Sequence, residues 1–481
     1  MARINTTAKR PPVYTAGGAN AAMISAEKKL RRSLMACMLW EDSFYEGGMS
    51  IAERIAELIG QVDPHSVFNM AIETRLDMKI RHAPLLIANL MLRHPEHKKL
   101  VGQLLPEIIK RADELSEILA IYWGINRQAK PKRTADHRYG KRVPIPWQFK
   151  VGLASAFRRF DEYQLAKYRG DDKVIKLRDV LCLVHPRPID EDQATLWGRL
   201  RANTLATPDT WEVAISACGN DKEAKRLEFE RLLSNNKMGA LAVLRNLRNF
   251  KDNGVNEKLV FEALDRLKPG MVLPFQFISA AQFAPQWENK IEQAMLKYLD
   301  GYSKLPGKTV LIIDVSGSMR GNISAKSDRN RLDVAAALAV IARERCVDAR
   351  IYCTAGNDHT RVHQTALVAP RYGFALIDAV KKAEQSLGGG GIFLKQAMDY
   401  VKREEGSADR VIVFTDEQDC DAKGSKGDPT NADTSWATEN YLINVSIEKN
   451  GIGYGKWTHI DGWSEHVMDY IRAYESSDCR Q

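Results

Sequence analysis

From about Ala21 to Leu299 apolar residues recur three or four positions apart, the spacing that gathers them on one face of a helix. The pattern predicts helices over Ile51–Ile59, Ser66–Ile80, Pro84–Leu92, Leu100–Trp123, Trp147–Tyr168, Lys173–Val184, Asp221–Leu233, Ala240–Phe250 and Gln286–Leu299. The breaks between them are short and carry Pro or Gly, as at Asp63-Pro64, His94-Pro95, Pro186/Pro188, Pro208 and Lys268-Pro269-Gly270. No run in this half alternates like a strand. Many short helices without a strict repeat fit an α-solenoid of the HEAT kind, in which neighbours cover each other's apolar faces. An array of four-helix-type bundles is the competing architecture.

After Lys304-Leu305-Pro306-Gly307 the rhythm changes. Thr309–Val315, Ala349–Thr354, Arg410–Thr415 and Tyr441–Ile447 read as strands. Between and after them, Arg331–Arg345, Phe374–Leu387, Phe393–Glu405 and Ser464–Tyr474 read as helices. Such alternation implies right-handed crossovers and a doubly wound, mostly parallel sheet. The expected architecture is therefore multidomain, α followed by α/β. Its parts are an arm over residues 1–20, a HEAT-like helical body over 21–304 and a Rossmann-like domain over 305–481.

Charge divides along the same line. Residues 1–300 hold 47 Lys and Arg against 36 Asp and Glu, whereas 301–481 hold 23 against 25. A net of +11 followed by −2 points to a polyanion bound by the helical half. The seven cysteines are scattered, with no CxxC pair and no zinc-finger spacing, which fits a reducing, cytoplasmic setting. No apolar run approaches the ~20 residues that span a bilayer, and the basic start lacks the apolar core of a secretory signal.

The sharpest chemical signal is Asp314-Val315-Ser316-Gly317-Ser318-Met319, directly after an apolar strand. Its D-x-S-x-S spacing offers one carboxylate and two hydroxyls from a tight loop, hard oxygen ligands suited to Mg²⁺ or Mn²⁺. Asp416 follows the strand Arg410–Thr415 and reaches toward the same strand ends, where open α/β sheets bind ligands. DVSGSM resembles the metal-ion-dependent adhesion motif of the von Willebrand A fold. That family draws a threonine from a glycine-flanked loop. Here the loop is Gly388-Gly389-Gly390-Gly391-Ile392-Phe393, with Ile392 at the expected position. The resemblance thus implies a weak divalent-ion site at Asp314, Ser316, Ser318 and Asp416, one ligand short.

Other motifs fail on inspection. Gly307-Lys308-Thr309 precedes a strand rather than a helix, so it is no P-loop. Ser316 stands where an aspartyl phosphatase needs its second acid, and no helix accepts a nucleotide after Gly451–Gly455. No nucleophile, base and acid form a set, so catalysis has no support.

The densest basic stretch, Arg127–Arg142, holds seven Lys or Arg against Asp136, with Tyr139 and nearby Trp147 as stacking surfaces. Charge mixed with aromatic faces suits single-stranded RNA, and Lys132, Arg133, Arg138 and Arg142 are its candidate contacts; an exposed solvated loop is the plain alternative. A second cluster runs from Lys167-Tyr168-Arg169 through Lys173, Lys176 and Arg178 to His185-Pro186-Arg187-Pro188.

Three segments, LRDVLCLVHPRP (Leu177–Pro188), MGALAVLRNLRNF (Met238–Phe250) and, more loosely, LRRSLMACMLWEDSFYEGG (Leu30–Gly48), resemble the TROVE module of Ro ribonucleoproteins. They occur in order ahead of DVSGSM, so the resemblance covers nearly the whole chain. It implies a monomeric ring of helical repeats closed by a von Willebrand A domain, with no catalytic role. Such a ring takes single-stranded 3′ ends of misfolded RNA in its hole and small Y-like RNAs on its basic face. An exoribonuclease or RNA-repair enzyme is the implied protein partner; DNA and membrane are not. Carried over by position, Lys167 and His185 stand at RNA-binding places, Arg169, Arg178 and Arg187 beside them, and Arg245 in the R-N-L signature. Pro186 departs from the family's usual apolar residue. Two rivals remain: an adaptor whose metal grips an acidic partner, and a metal-dependent hydrolase using Asp314 and Asp416. Salt-insensitive RNA binding would favour the first; turnover abolished by Asp314→Ala would favour the second.

Overall fold

The computed structural model describes residues 25–35, 48–78, 80–126, 143–170, 173–267, 272, 274–323, 329–387, 389–417, 420, 435–445, 457–461 and 467–475. The arm over 1–20 and the basic stretch Arg127–Arg142, with Lys132, Arg133, Arg138 and Arg142, lie outside these residues. The chain divides into two compact units. One comprises Ala26–Leu39 with Ser50–Ala263, and the other includes Leu264–Gln481.

Among its described residues, the regular elements of the first unit are all helices. Helices Pro64–Leu76, His82–Met91, Pro95–Ile108, Asp113–Ile125 and Trp147–Phe157 form its opening part, with Pro95–Ile108 packed on both Pro64–Leu76 and Trp147–Phe157. The second of these contacts is close because two glycines meet there. A Cβ on Gly152 would lie 2.9 Å from Leu105 Cβ, and one on Gly102 would lie 3.3 Å from the Gln148 carbonyl.

Two helices expected as single pieces are each broken. The run Leu100–Trp123 is interrupted between Ile108 and Asp113, where the buried Glu114 carboxylate accepts the backbone N–H groups of Lys110 and Arg111 at 2.8 and 3.0 Å. Arg75 donates to the same carboxylate at 2.7 Å and Arg81 at 3.3 Å, so the buried charge is paired and fully hydrogen-bonded. The run Trp147–Tyr168 is interrupted at Phe157, and Asp161 restarts it as an N-cap. Its carboxylate accepts the Gln164 N–H at 2.7 Å while Gln164 accepts the Asp161 N–H at 3.1 Å.

The second unit is a six-stranded sheet with helices. Its strands are β1 (Leu305–Asp314), β2 (Cys346–Asn357), β3 (Val362–Leu367), β4 (Arg410–Thr415), β5 (Glu439–Asn444) and β6 (Trp457–Asp461), ordered β3-β2-β1-β4-β5-β6. All neighbours are parallel except β3, which runs antiparallel to β2 on the edge. The four expected strands are present, and β3 and β6 are additional. The helix Arg331–Glu344 is buried on nearly every side, as its alanine-rich sequence allows. The helices Pro274–Phe283 and Glu288–Asp300, which precede β1, group with this unit. Glu292 accepts the Phe374 N–H at 2.6 Å, tying Glu288–Asp300 to the helix Gly373–Ser386.

Strand order reverses between β1 and β4. Consecutive crossovers leave β1 toward β2 and β4 toward β5, so the carboxyl ends of β1 and β4 open a crevice at the switch point.

Candidate functional site

The crevice is built from the end of β1. Asp314 is fully buried; its Oδ1 accepts the Ser316 N–H at 2.8 Å, and its Oδ2 accepts the Thr415 hydroxyl at 2.6 Å. The Ser316 and Ser318 hydroxyls lie 3.1 Å apart. Burial and then repulsion from Asp416 push the Asp314 carboxyl up to about 7, against the opposing pull of the Thr415 and Ser316 hydrogen bonds. The structure thus brings together Asp314, Ser316, Ser318 and Asp416, the four residues the motif predicted.

It also brings in a residue that the motif did not. Arg331 Nη1 donates to Asp416 Oδ2 at 2.6 Å, with side chains only 2% and 0% exposed. The same nitrogen lies 3.4 Å from the Ser318 carbonyl. Arg331 stands in the first turn of its helix, where a cation opposes the helix dipole. That breach of a local preference was the signal available in the sequence. Next along the chain, the buried Glu417 adopts φ 60° and its Oε1 lies 3.3 Å from His459 Nδ1.

The glycine loop corrects one expectation. Ile392 is fully buried in the cluster of Val310, Ile312, Val413 and Leu394, inside the core rather than at a ligand position. The loop meets the D-x-S-x-S turn through its backbone, the Gly317 N–H donating to the Gly390 carbonyl at 3.2 Å. A Cβ on Gly390 would stand 2.1 Å from the Gly356 carbonyl, and one on Gly317 would stand 2.6 Å from that of Gly389. This wall of the crevice therefore admits only bare backbone.

A divalent ion needs carboxylate and hydroxyl oxygens turned to a common centre. Here both Asp314 oxygens hold protein hydrogen bonds, Asp416 is paired with a guanidinium, and the glycine loop offers no hydroxyl. Among the described residues no group of three or more His, Cys, Asp or Glu side chains is placed to hold a metal ion. As arranged, the donor set does not fit a divalent ion.

The helical unit carries the basic candidates. Arg111 lies over the Tyr168 ring at 4.7 Å, and Lys167 Nζ approaches the same ring at 5.6 Å. Burial, and next the nearby Arg159 charge, hold the Lys110 amine below its ordinary value. Lys110, Arg111 and Arg159 were absent from the sequence candidates because the two helix breaks that carry them, after Ile108 and after Phe157, were read as continuous helix. Arg169 and Arg178 are half-buried, and Arg187 and Arg245 are exposed. His185 is exposed too, and caps the helix Leu177–Val184 in the left-handed region at φ 48°, an uncommon conformation for a residue that precedes proline. The Arg187 carbonyl accepts Arg158 Nε at 2.9 Å, pinning this turn to the end of Trp147–Phe157. Asn246, beside Arg245, is structural: it is buried and donates to the Ala242 carbonyl at 2.9 Å.

These features define a helical body joined to a von Willebrand A-like α/β unit. Comparison with protein families matches the TROVE domain to residues 192–385, a span that begins in the helix Glu191–Ala202 and runs on through β1, β2 and β3. Among solved structures the chain resembles the crystal structure of the Deinococcus radiodurans Ro (RSR) protein, with a TM-score of 0.61 and 18% identity over 94% of this chain and 99% of that one. An aerotolerance-related membrane protein from Bacteroides fragilis also matches, at a TM-score of 0.20 and 17% identity over 28% of this chain and 66% of that one, too low to carry an argument. No curated protein matches by sequence. Residues 192–385 thus match the TROVE domain, and the chain has the fold of that bacterial Ro protein.

Proposed function

We propose that the protein binds RNA through its helical unit and serves as a cytoplasmic scaffold for small structured, Y-like RNAs and for the single-stranded 3′ ends of misfolded RNAs. The TROVE match within a Ro fold carries this reading. The approach of Arg111 and Lys167 to the Tyr168 ring, and of Arg159 to Lys110, supports it, because phosphates relieve repulsion among like charges and bases stack on aromatic rings. The reading is one of binding without catalysis, with an exoribonuclease or RNA-repair enzyme as the protein that acts on the held RNA. No helix among the described residues is long and apolar enough to cross a membrane.

Gel shifts with a hairpin carrying a single-stranded 3′ tail, and with the same hairpin lacking it, test the proposal. The tailed RNA should bind more tightly, and its affinity should fall roughly 10³-fold or more between 50 and 200 mM salt if about six phosphates are contacted. Equal affinity for both RNAs, or affinity indifferent to salt, would show that the chain does not hold RNA ends.

A further inference from the structure

We propose that Arg331 is a built-in cation that takes the place of a divalent metal at the strand-end crevice, so that this von Willebrand A-like unit works without a metal ion. The inference is independent of RNA binding and starts from what the two buried carboxylates touch.

Fully buried acids require a compensating charge or a full set of hydrogen-bond donors. A crevice of this kind with a metal obtains that compensation from the ion. Here it comes from the chain. Asp416, at 0% exposure, receives the Arg331 guanidinium at 2.6 Å. Asp314 receives a hydroxyl at 2.6 Å and an N–H at 2.8 Å. The guanidinium also reaches the Ser318 carbonyl at 3.4 Å, which places it against the D-x-S-x-S turn.

Three further features agree with that role. Arg331 is among the largest side chains that the fold buries completely, and it is held there by backbone as well, its N–H donating to the Gly321 carbonyl at 3.0 Å. Gly321 lies against it, since a Cβ there would stand at contact distance, 3.4 Å, from Arg331 Cζ and Nε. Asn330 fixes the start of the helix, accepting the Asp333 N–H at 2.7 Å, so the arginine is presented by a capped, rigid turn. Opposite, the position from which the glycine loop would supply a hydroxyl holds Ile392, whose side chain is buried in the apolar core. A guanidinium is permanently charged, planar and rich in donors, and therefore neutralises a buried carboxylate without recruiting anything from solution. A metal ion could enter only by displacing it.

The test uses the full chain and two readouts, thermal unfolding and the electron paramagnetic resonance signal of free Mn²⁺. Wild type should unfold at the same temperature, within about 1 °C, in EDTA, Mg²⁺ or Mn²⁺, and should leave the Mn²⁺ signal undiminished. Arg331→Met exposes the Asp416 charge to its buried surroundings. It should lower the unfolding temperature by roughly 10 °C in EDTA, regain part of that in Mn²⁺, and take up Mn²⁺. Adding Asp416→Asn to Arg331→Met should restore most of the stability and remove the response to Mn²⁺. Mn²⁺ uptake by wild type that is lost in Asp416→Asn would overturn the proposal. So would a folded Arg331→Met protein that ignores Mn²⁺. If Arg331→Met alone does not fold, the double variant decides: a double variant that also fails to fold shows that Arg331 does something other than neutralise Asp416.

Discussion

The two units treat charge in opposite ways. In the sheet unit, Asp314, Asp416 and Arg331 are buried and matched to partners, acid to guanidinium and acid to hydroxyl. On the helical unit, Arg111 and Lys167 approach the Tyr168 ring, and Arg159 lies near enough to Lys110 to add to burial in depressing its amine. A matched buried cluster holds a fold together; cations at the surface attract an anionic ligand. On the proposals made above, the motif that stood out most in the sequence would be structural, and the working surface would lie in a region whose sequence is less distinctive.

The comparison breaks first at the surface cluster. Lys110→Ala, Arg159→Ala and Lys167→Ala together should lower affinity for the tailed RNA by ~10–100-fold and flatten its salt dependence by about three in log–log slope, with unfolding temperature little changed. Lys167→Ala, Arg169→Ala and Arg178→Ala together should weaken a structured Y-like RNA more than a bare single strand, and equal losses would remove the separate outer site.

The next effect concerns stability. The helical unit also contains one matched buried acid, Glu114, held by Arg75, Arg81 and two backbone N–H groups. Glu114→Ala leaves Arg75, itself only 10% exposed, without its carboxylate partner and should cost about 3–5 kcal/mol in denaturant unfolding. A loss under about 1 kcal/mol would mean that the helix break is held by packing alone. The smallest effect is expected at Ile392. Ile392→Thr places a hydroxyl in an apolar cluster, so it should destabilise by roughly 1–3 kcal/mol and confer no Mn²⁺ binding. Metal uptake by this variant would restore the reading of Ile392 as a ligand position.

Much of the fold could be read from the chain because periodicity is a local property. The alternation of strand and helix after Lys304 led to the parallel sheet, and DVSGSM led to its switch point. What escaped was tertiary. Asp161 and Gln164 form a capping box that spacing alone could have revealed, but the break at Ile108 depends on Arg75 and Arg81 arriving from elsewhere to satisfy Glu114. The edge strand β3 is half-exposed and β6 spans only Trp457–Asp461, so neither has the continuous apolar run of a central strand. Ile392 was placed by spacing from the glycines, whereas its apolar side chain belongs with the core. Arg331 pairs with a residue 85 positions away, a contact that no local pattern encodes.

The most direct measurement is the salt dependence of tailed-RNA affinity for wild type and for the Lys110→Ala, Arg159→Ala, Lys167→Ala variant, from 50 to 200 mM monovalent salt. Wild type should show a steep log–log slope and the variant one shallower by about three, since each lost cation releases one fewer counterion. Identical slopes in the two proteins would contradict the assignment of RNA binding to these cations of the helical unit.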